Sequence, residues 1–175
     1  SSIPGIDDLT LTTNGYLLAD QAQALKQAGL ARVTVSLDSL DREVYAAMNG
    51  RGVDPSRTLA GIEMAAGVGL GPIKINAVIE RGLNDHTAVA LAAHFKGSGH
   101  ILRFIEFMDV GNLNAWDRAK VVPSAELIDQ INTVSPIEPV DPNYLGEVAE
   151  RWRYVDGTGE IGFISSVTQP FCSAC

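Results

Sequence analysis

Four short apolar runs recur along the chain with helix-forming stretches between them: LTLTTNG (Leu9 to Gly15), VTVSLDS (Val33 to Ser39), IKINAV (Ile73 to Val78) and LRFIEFMD (Leu102 to Asp109). Strand-helix units repeated in this way predict a parallel sheet with right-handed crossovers, its helices packed on the strands. Each run ends in polar or ionisable residues, and polar groups at strand exits converge on one shared site.

The intervening stretches carry their own start and stop signals. Asp20 to Ala28 places Ala22, Leu25 and Ala28 at helical spacing, and Gly29 follows where a helix would stop. Asp41 is placed to cap a helix running to Met48, and Pro55 opens another that extends to Gly67. Asn84-Asp85 reads as the cap of a helix packing on Val89, Leu91, Ala92 and Phe95, and Ser124 as the cap of the next. Beyond Asn132 prolines and glycines break the chain into short pieces, and two alternating runs flank Asp156-Gly157-Thr158-Gly159, a hairpin signal.

A length of 175 residues with 46% hydrophobic residues suffices for one domain with a sizeable core. The net charge of −8 argues against nucleic-acid or membrane-surface partners, although a local cationic pocket is compatible with a negative sum. No apolar stretch is long enough to span a bilayer and no secretory signal opens the chain, so it reads as cytoplasmic. The two cysteines form a Cys172-Ser173-Ala174-Cys175 pair, which in a reducing compartment suits a metal half-site or a redox pair better than a disulfide framework.

About four parallel strand-helix units are too few to close a barrel, and the first run leaves no room for earlier ones. A doubly wound sheet would also take four strands, but Thr12-Thr13-Asn14-Gly15 is not its glycine-rich phosphate turn. The expected architecture is α/β: part of an incomplete TIM-like (β/α) barrel over residues 1–132, followed by a β-rich C-terminal extension over 133–175.

Thr12-Thr13-Asn14-Gly15, Ser36-Leu37-Asp38-Ser39-Leu40, Lys74-Ile75-Asn76, Leu102 to Met108 (LRFIEFM) and Phe171-Cys172-Ser173-Ala174-Cys175 come in the order of the motifs of one family. Through them the chain resembles the MoaA-type GTP 3',8-cyclases, radical S-adenosylmethionine enzymes of molybdenum cofactor biosynthesis. The resemblance covers nearly the whole chain, without the family's N-terminal C-x3-C-x2-C loop, its Gly-Gly-Glu motif, or the third cysteine and arginines that follow its Cys-x-x-Cys. It implies a middle piece of such an enzyme, inactive by itself.

What the resemblance implies about chemistry follows from the cofactors. A [4Fe–4S] cluster would bind S-adenosylmethionine and cleave it to a 5'-deoxyadenosyl radical, and a barrel interior would shield that radical from water. A second [4Fe–4S] cluster would bind the guanine base. The substrate would be GTP and the product would pass to pyranopterin monophosphate synthase; the intact enzyme would be a homodimer with no nucleic-acid or membrane partner.

The family's contacts fall on named positions of this chain. Ser36 and Met108 match contacts to S-adenosylmethionine, Thr12 and Lys74 contacts to GTP, and Cys172 and Cys175 two ligands of the second cluster. From the residues alone each has a plainer reading. Ser36 could be a helix cap or turn former, Met108 core, Thr12 a turn-capping hydroxyl before Asn14-Gly15 and Lys74 an edge or surface charge. The cysteines could be a free or oxidised pair, or half of a zinc site. Asp38, Asn76, Arg103 and Glu106 belong to the same polar set without assigned roles, except that Arg103 and Glu106, three apart on a strand, must face opposite sides. His86, His94 and His100 read as surface or packing residues. Two other functions compete: a different radical S-adenosylmethionine enzyme with an auxiliary cluster, and a non-catalytic α/β domain whose Cys-x-x-Cys binds zinc.

Overall fold

A computed structural model describes residues 4–50, 52–108 and 117–169 of the chain. Seven strands form one sheet in the order β1-β2-β3-β4-β7-β6-β5. They are β1 (Thr10–Thr13), β2 (Arg32–Ser36), β3 (Lys74–Ile79), β4 (Ile101–Glu106), β5 (Ile137–Val140), β6 (Glu150–Tyr154) and β7 (Glu160–Ile164). The four runs read from the sequence pair in parallel in chain order. β7 then adds to β4 as a further parallel strand, and β6 and β5 follow antiparallel. The parallel set is therefore one strand larger than the apolar runs indicate, because the second arm of the predicted hairpin continues the same sheet.

The helices are α1 (Leu18–Gln27), α2 (Arg42–Asn49), α3 (Pro55–Gly67), α4 (Ala88–Phe95) and α5 (Ser124–Val134). Local chemistry explains both limits of α2 and the start of α3. Asp41 accepts hydrogen bonds from the Glu43 and Val44 amides at the start of α2, which stops at Gly50 in the left-handed conformation. Asp54 accepts from the Ser56 amide, with Pro55 as the first residue of α3.

Two predicted caps are not caps. The Asn84 side chain is fully buried; it accepts from the Glu80 amide and donates to the Asp38 and Val78 carbonyls, so it ties loops together ahead of α4. Ser124 lies inside α5 and donates to Glu106, so a carboxylate from another element serves that helix end.

The core lies between the helices and one face of the sheet. Val33, Val35, Ile73, Ile75, Ala77, Ile79, Leu102, Phe104, Ile161 and Phe163 are all buried there, against Leu18, Ala22, Ile62, Ala65, Leu91, Phe95, Leu127 and Ile131 of the helices. At Gly61 of α3 an added Cβ would come within 2.8 Å of the Gly15 carbonyl oxygen and 3.0 Å of the Leu18 Cβ, so the absent side chain lets α3 close on the β1–α1 turn. Gly15 has φ +74° and is packed just as closely, with Thr58 and Val35 under 3 Å from where its Cβ would stand.

Parallel strands are commonly apolar on both faces. Here β2, β3 and β4 alternate strictly between buried and half-buried residues, and the half-buried set is mostly polar. The sheet thus has an apolar face under the helices and a polar face turned away from them.

Candidate functional site

Strand register places the polar residues in rows across that second face. Thr12, Thr34 and Lys74 are lateral neighbours on β1, β2 and β3. The next row holds Ser36, Asn76, Arg103, Gly162 and Arg151. Three of the residues singled out by sequence, Thr12, Ser36 and Lys74, accordingly share one face. Their level on it differs from the expectation of strand exits: Ser36 ends β2, but Lys74 is the first residue of β3 and Arg103 lies mid-strand in β4.

Lys74 is half-buried, and its ammonium makes no hydrogen bond or ion pair among the described residues. Burial pushes its pKa below the ordinary lysine value, and the positive charges of Arg103 and Arg32 push it further the same way. Arg103 is likewise lowered by burial. Its Nε donates to the Asn76 side-chain oxygen at 2.9 Å, which fixes the direction of the guanidinium. Gly162, its lateral neighbour on β7, leaves room for it: an added Cβ there would stand 3.1 Å from the Arg103 Cγ. Two partly buried cations thus lie close to each other, and among the described residues Lys74 has no hydrogen-bonded partner, an arrangement that a bound anion would stabilise.

Two cavities flank this pair. One of about 100 Å³ is lined by Thr10, Arg32, Thr34, Lys74 and Arg103; a smaller one of about 40 Å³ lies on the β6 side and includes Glu147. Arg32 is ion-paired with Asp8, and Arg151 with Glu160 at 2.8 Å, so these two cations are already balanced. A roomier cavity of about 310 Å³ lies at the far end of β1, between the Asn14–Leu17 turn and α2, and among the described residues that line it none is charged.

The remaining sequence candidates fall as follows. Thr12 is exposed on β1 and is not the turn-capping hydroxyl; Thr13 takes that part, accepting from the Gly15 amide at 3.1 Å. Met108 lies two residues past β4 and is 41% exposed, so it is not core. Asp38 accepts from the Val78 amide at 2.9 Å and is raised above the ordinary carboxylate range by burial. Glu106 faces away from Arg103, as their spacing requires, and neither makes an ion pair with the other.

Glu106 is 1% exposed and gathers three segments. Its carboxylate accepts from the Ser124 amide, from the Val167 and Thr168 amides at 2.9 and 2.8 Å, and from the Ser124 and Thr168 hydroxyls. His86 is exposed beside Asp85, while His100 is shifted below the ordinary histidine value by burial. Cys172 and Cys175 lie outside the described residues. Among the described residues no group of three or more His, Cys, Asp or Glu side chains is placed to hold a metal ion, and no helix is long and apolar enough to cross a membrane.

Sequence reading left Arg103 and Asn76 without roles because their meaning depends on neighbours across the sheet. The signal that could have found them is the alternation itself: Arg32-Thr34-Ser36, Lys74-Asn76 and Arg103 occupy every second position of strands expected to be apolar throughout.

Residues 2–95 match the description Radical SAM superfamily, and residues 100–175 match Molybdenum Cofactor Synthesis C. Over all 175 residues the chain is 51% identical to a GTP 3',8-cyclase of Xanthomonas campestris pv. campestris (strain B100), covering 52% of that protein. It is 52% identical to one of Acidothermus cellulolyticus, of which it covers 48%, and 44% identical to one of Staphylococcus haemolyticus, of which it covers 51%. The chain thus spans about half the length of the curated relatives it matches. Among solved structures it is similar to a radical SAM methyltransferase from Sphaerobacter thermophilus, with a TM-score of 0.54 and 18% identity over 71% of this chain and 36% of that one, a likeness of fold consistent with part of a TIM-like barrel. With more than half of its length matched by that superfamily's description, the chain belongs to the radical SAM superfamily.

Proposed function

We propose that this chain is part of a GTP 3',8-cyclase, converting GTP to 3',8-cyclo-7,8-dihydro-GTP in molybdenum cofactor biosynthesis. Relatives about half identical over all its residues bear that name, and its second half matches a molybdenum cofactor synthesis description. The structural observation that carries the reading is the unpaired, half-buried Lys74 ammonium beside Arg103 on the polar face of a parallel sheet. A triphosphate satisfies that charge with charge-assisted hydrogen bonds.

In this reading Lys74 and Thr12 hold GTP, and Asn76 keeps the Arg103 guanidinium oriented toward the same anion. Ser36, at the end of β2, contributes a hydroxyl to bound S-adenosylmethionine, and the exposed Met108 side chain contacts its adenosyl part. A [4Fe–4S] cluster with S-adenosylmethionine would supply radical chemistry, and the role of this face would be to keep GTP in register with it. Cys172 and Cys175 are assigned to a second [4Fe–4S] cluster on sequence alone. The enzyme would work in the cytoplasm as a homodimer and hand its product to pyranopterin monophosphate synthase.

The test uses the intact protein, reconstituted with iron and sulfide and supplied with S-adenosylmethionine and a strong reductant. GTP should be consumed with formation of 5'-deoxyadenosine and a cyclised purine product. Failure to bind GTP, or turnover of a peptide in its place, overturns the reading.

A further inference from the structure

The segment joining β5 to β6, Asp141 to Ala149, sends one carboxylate back toward the cationic face. Asn143, Tyr144, Leu145 and Gly146 are exposed, Leu145 at 96%, whereas Glu147 is half-buried and Ala149 buried. Glu147 lines the 40 Å³ cavity together with Lys74, Arg103 and Arg151. Its charge acts on both Lys74 and Arg103, opposing the effect of their burial.

Glu147 nevertheless forms no ion pair with either cation among the described residues. Its oxygens are taken by its own loop, one accepting from the Asn143 amide at 2.6 Å and the other from the Asn143 side chain at 3.3 Å. The carboxylate is therefore held near the pair while the donors of Lys74 stay free. A counter-charge in this position lowers the positive potential that an incoming anion meets without occupying its hydrogen-bonding partners.

We infer that Glu147 is a specificity-determining residue: an internal counter-ion, tethered by Asn143 beside Lys74 and Arg103, that limits how tightly the pocket holds polyanionic ligands. Resting on the proposed anion site, the inference concerns how much charge that site accepts. A carboxylate near the pair repels each charge of the ligand, so it weakens a triphosphate more than a monophosphate. It thereby keeps the pocket from retaining any polyphosphate too strongly to release it.

The experiment is calorimetric titration of the intact protein with inorganic triphosphate and with inorganic phosphate, at low and moderate salt. Glu147→Gln should tighten triphosphate binding about three- to tenfold, with a smaller gain for phosphate and a steeper loss of affinity with salt. Glu147→Ala, which also removes the loop hydrogen bonds, should move triphosphate affinity in the same direction. Lys74→Ala should weaken it. If Lys74→Ala weakens binding while both Glu147 variants leave it unchanged or weaker, the counter-ion role is overturned and the anion site stands. If neither the parent nor the Glu147 variants bind triphosphate, the anion site falls and the counter-ion with it. Binding that appears only when Glu147 is neutral supports the counter-ion directly.

Discussion

The Glu106 carboxylate accepts from the Ser124 amide at 2.9 Å, joining the last residue of β4 to the first residue of α5. A negative charge at a helix N-terminus meets unsatisfied N–H groups and the favourable end of the helix dipole. The same carboxylate holds Val167 and Thr168, just beyond β7. One side chain therefore fixes the order of three chain segments on the apolar side of the sheet.

Glu106→Gln should destabilise the fold by about 1–3 kcal/mol, because an amide presents N–H groups to donors that need an acceptor. Burial pushes this carboxyl up, but hydrogen bonds from Thr168, Ser124 and Val167 outweigh burial and hold it below its ordinary 4.5. Its stabilisation is complete above about pH 4.5 and is lost as pH falls through the lower folded-state value. Urea melts from pH 7 down to 3 should show a steeper acid loss in the parent than in the variant; parallel curves would refute the assignment.

Asp38 should show the opposite sign. Burial raises its pKa above the ordinary 3.8, with the Val78 amide only partly compensating. The folded state then binds the proton more readily, so stability falls as pH rises from 3.8 through the folded-state value. Asp38→Asn keeps an acceptor for Val78 and should be at least as stable as the parent at pH 7. A clear loss of melting temperature there would contradict this.

Gly61→Ala tests the contact between α3 and the β1–α1 turn. Its Cβ would stand 2.8 Å from the Gly15 carbonyl oxygen, a backbone atom that cannot swing aside. Overpacking of this kind costs about 1–3 kcal/mol, which outweighs the helix propensity gained from alanine. Chemical denaturation measures it directly, and a stabilised variant would show that the turn gives way.

In the intact protein Lys74→Ala should weaken GTP binding by about 1.5–3 kcal/mol, roughly ten- to a hundredfold, with a much smaller effect on S-adenosylmethionine. Ser36→Ala should show the reverse bias. Equilibrium binding of both ligands to each folded variant decides the matter, and parent-like GTP affinity in Lys74→Ala would make this lysine an ordinary surface charge.

What the sequence disclosed was local. The bounds of α3 follow from Asp54 and Pro55, the start of α2 from Asp41, and the hairpin from Asp156 to Gly159, because each signal acts within a few residues. What it withheld depends on distant partners. α5 takes its anionic partner from a strand 18 residues earlier, so Ser124 looked like a cap. The parallel pairing of β7 with β4, and the pairing of Lys74 with Thr34 at the start of β3, follow from register between strands far apart in the chain. The motif residues could be picked out beforehand, but not the level at which Lys74 would sit.

Gly162 bears on how such a pocket can be adjusted. With only 3.1 Å between the Arg103 Cγ and the place where a side chain at 162 would begin, even a methyl group there requires the arginine stem to give way by a few tenths of an ångström. The positive charge would then be displaced while its amount stays the same. The room for the arginine stem is thus set by a vacancy on the adjacent strand, and the place of this charge depends on a residue that has no charge and no side chain to offer.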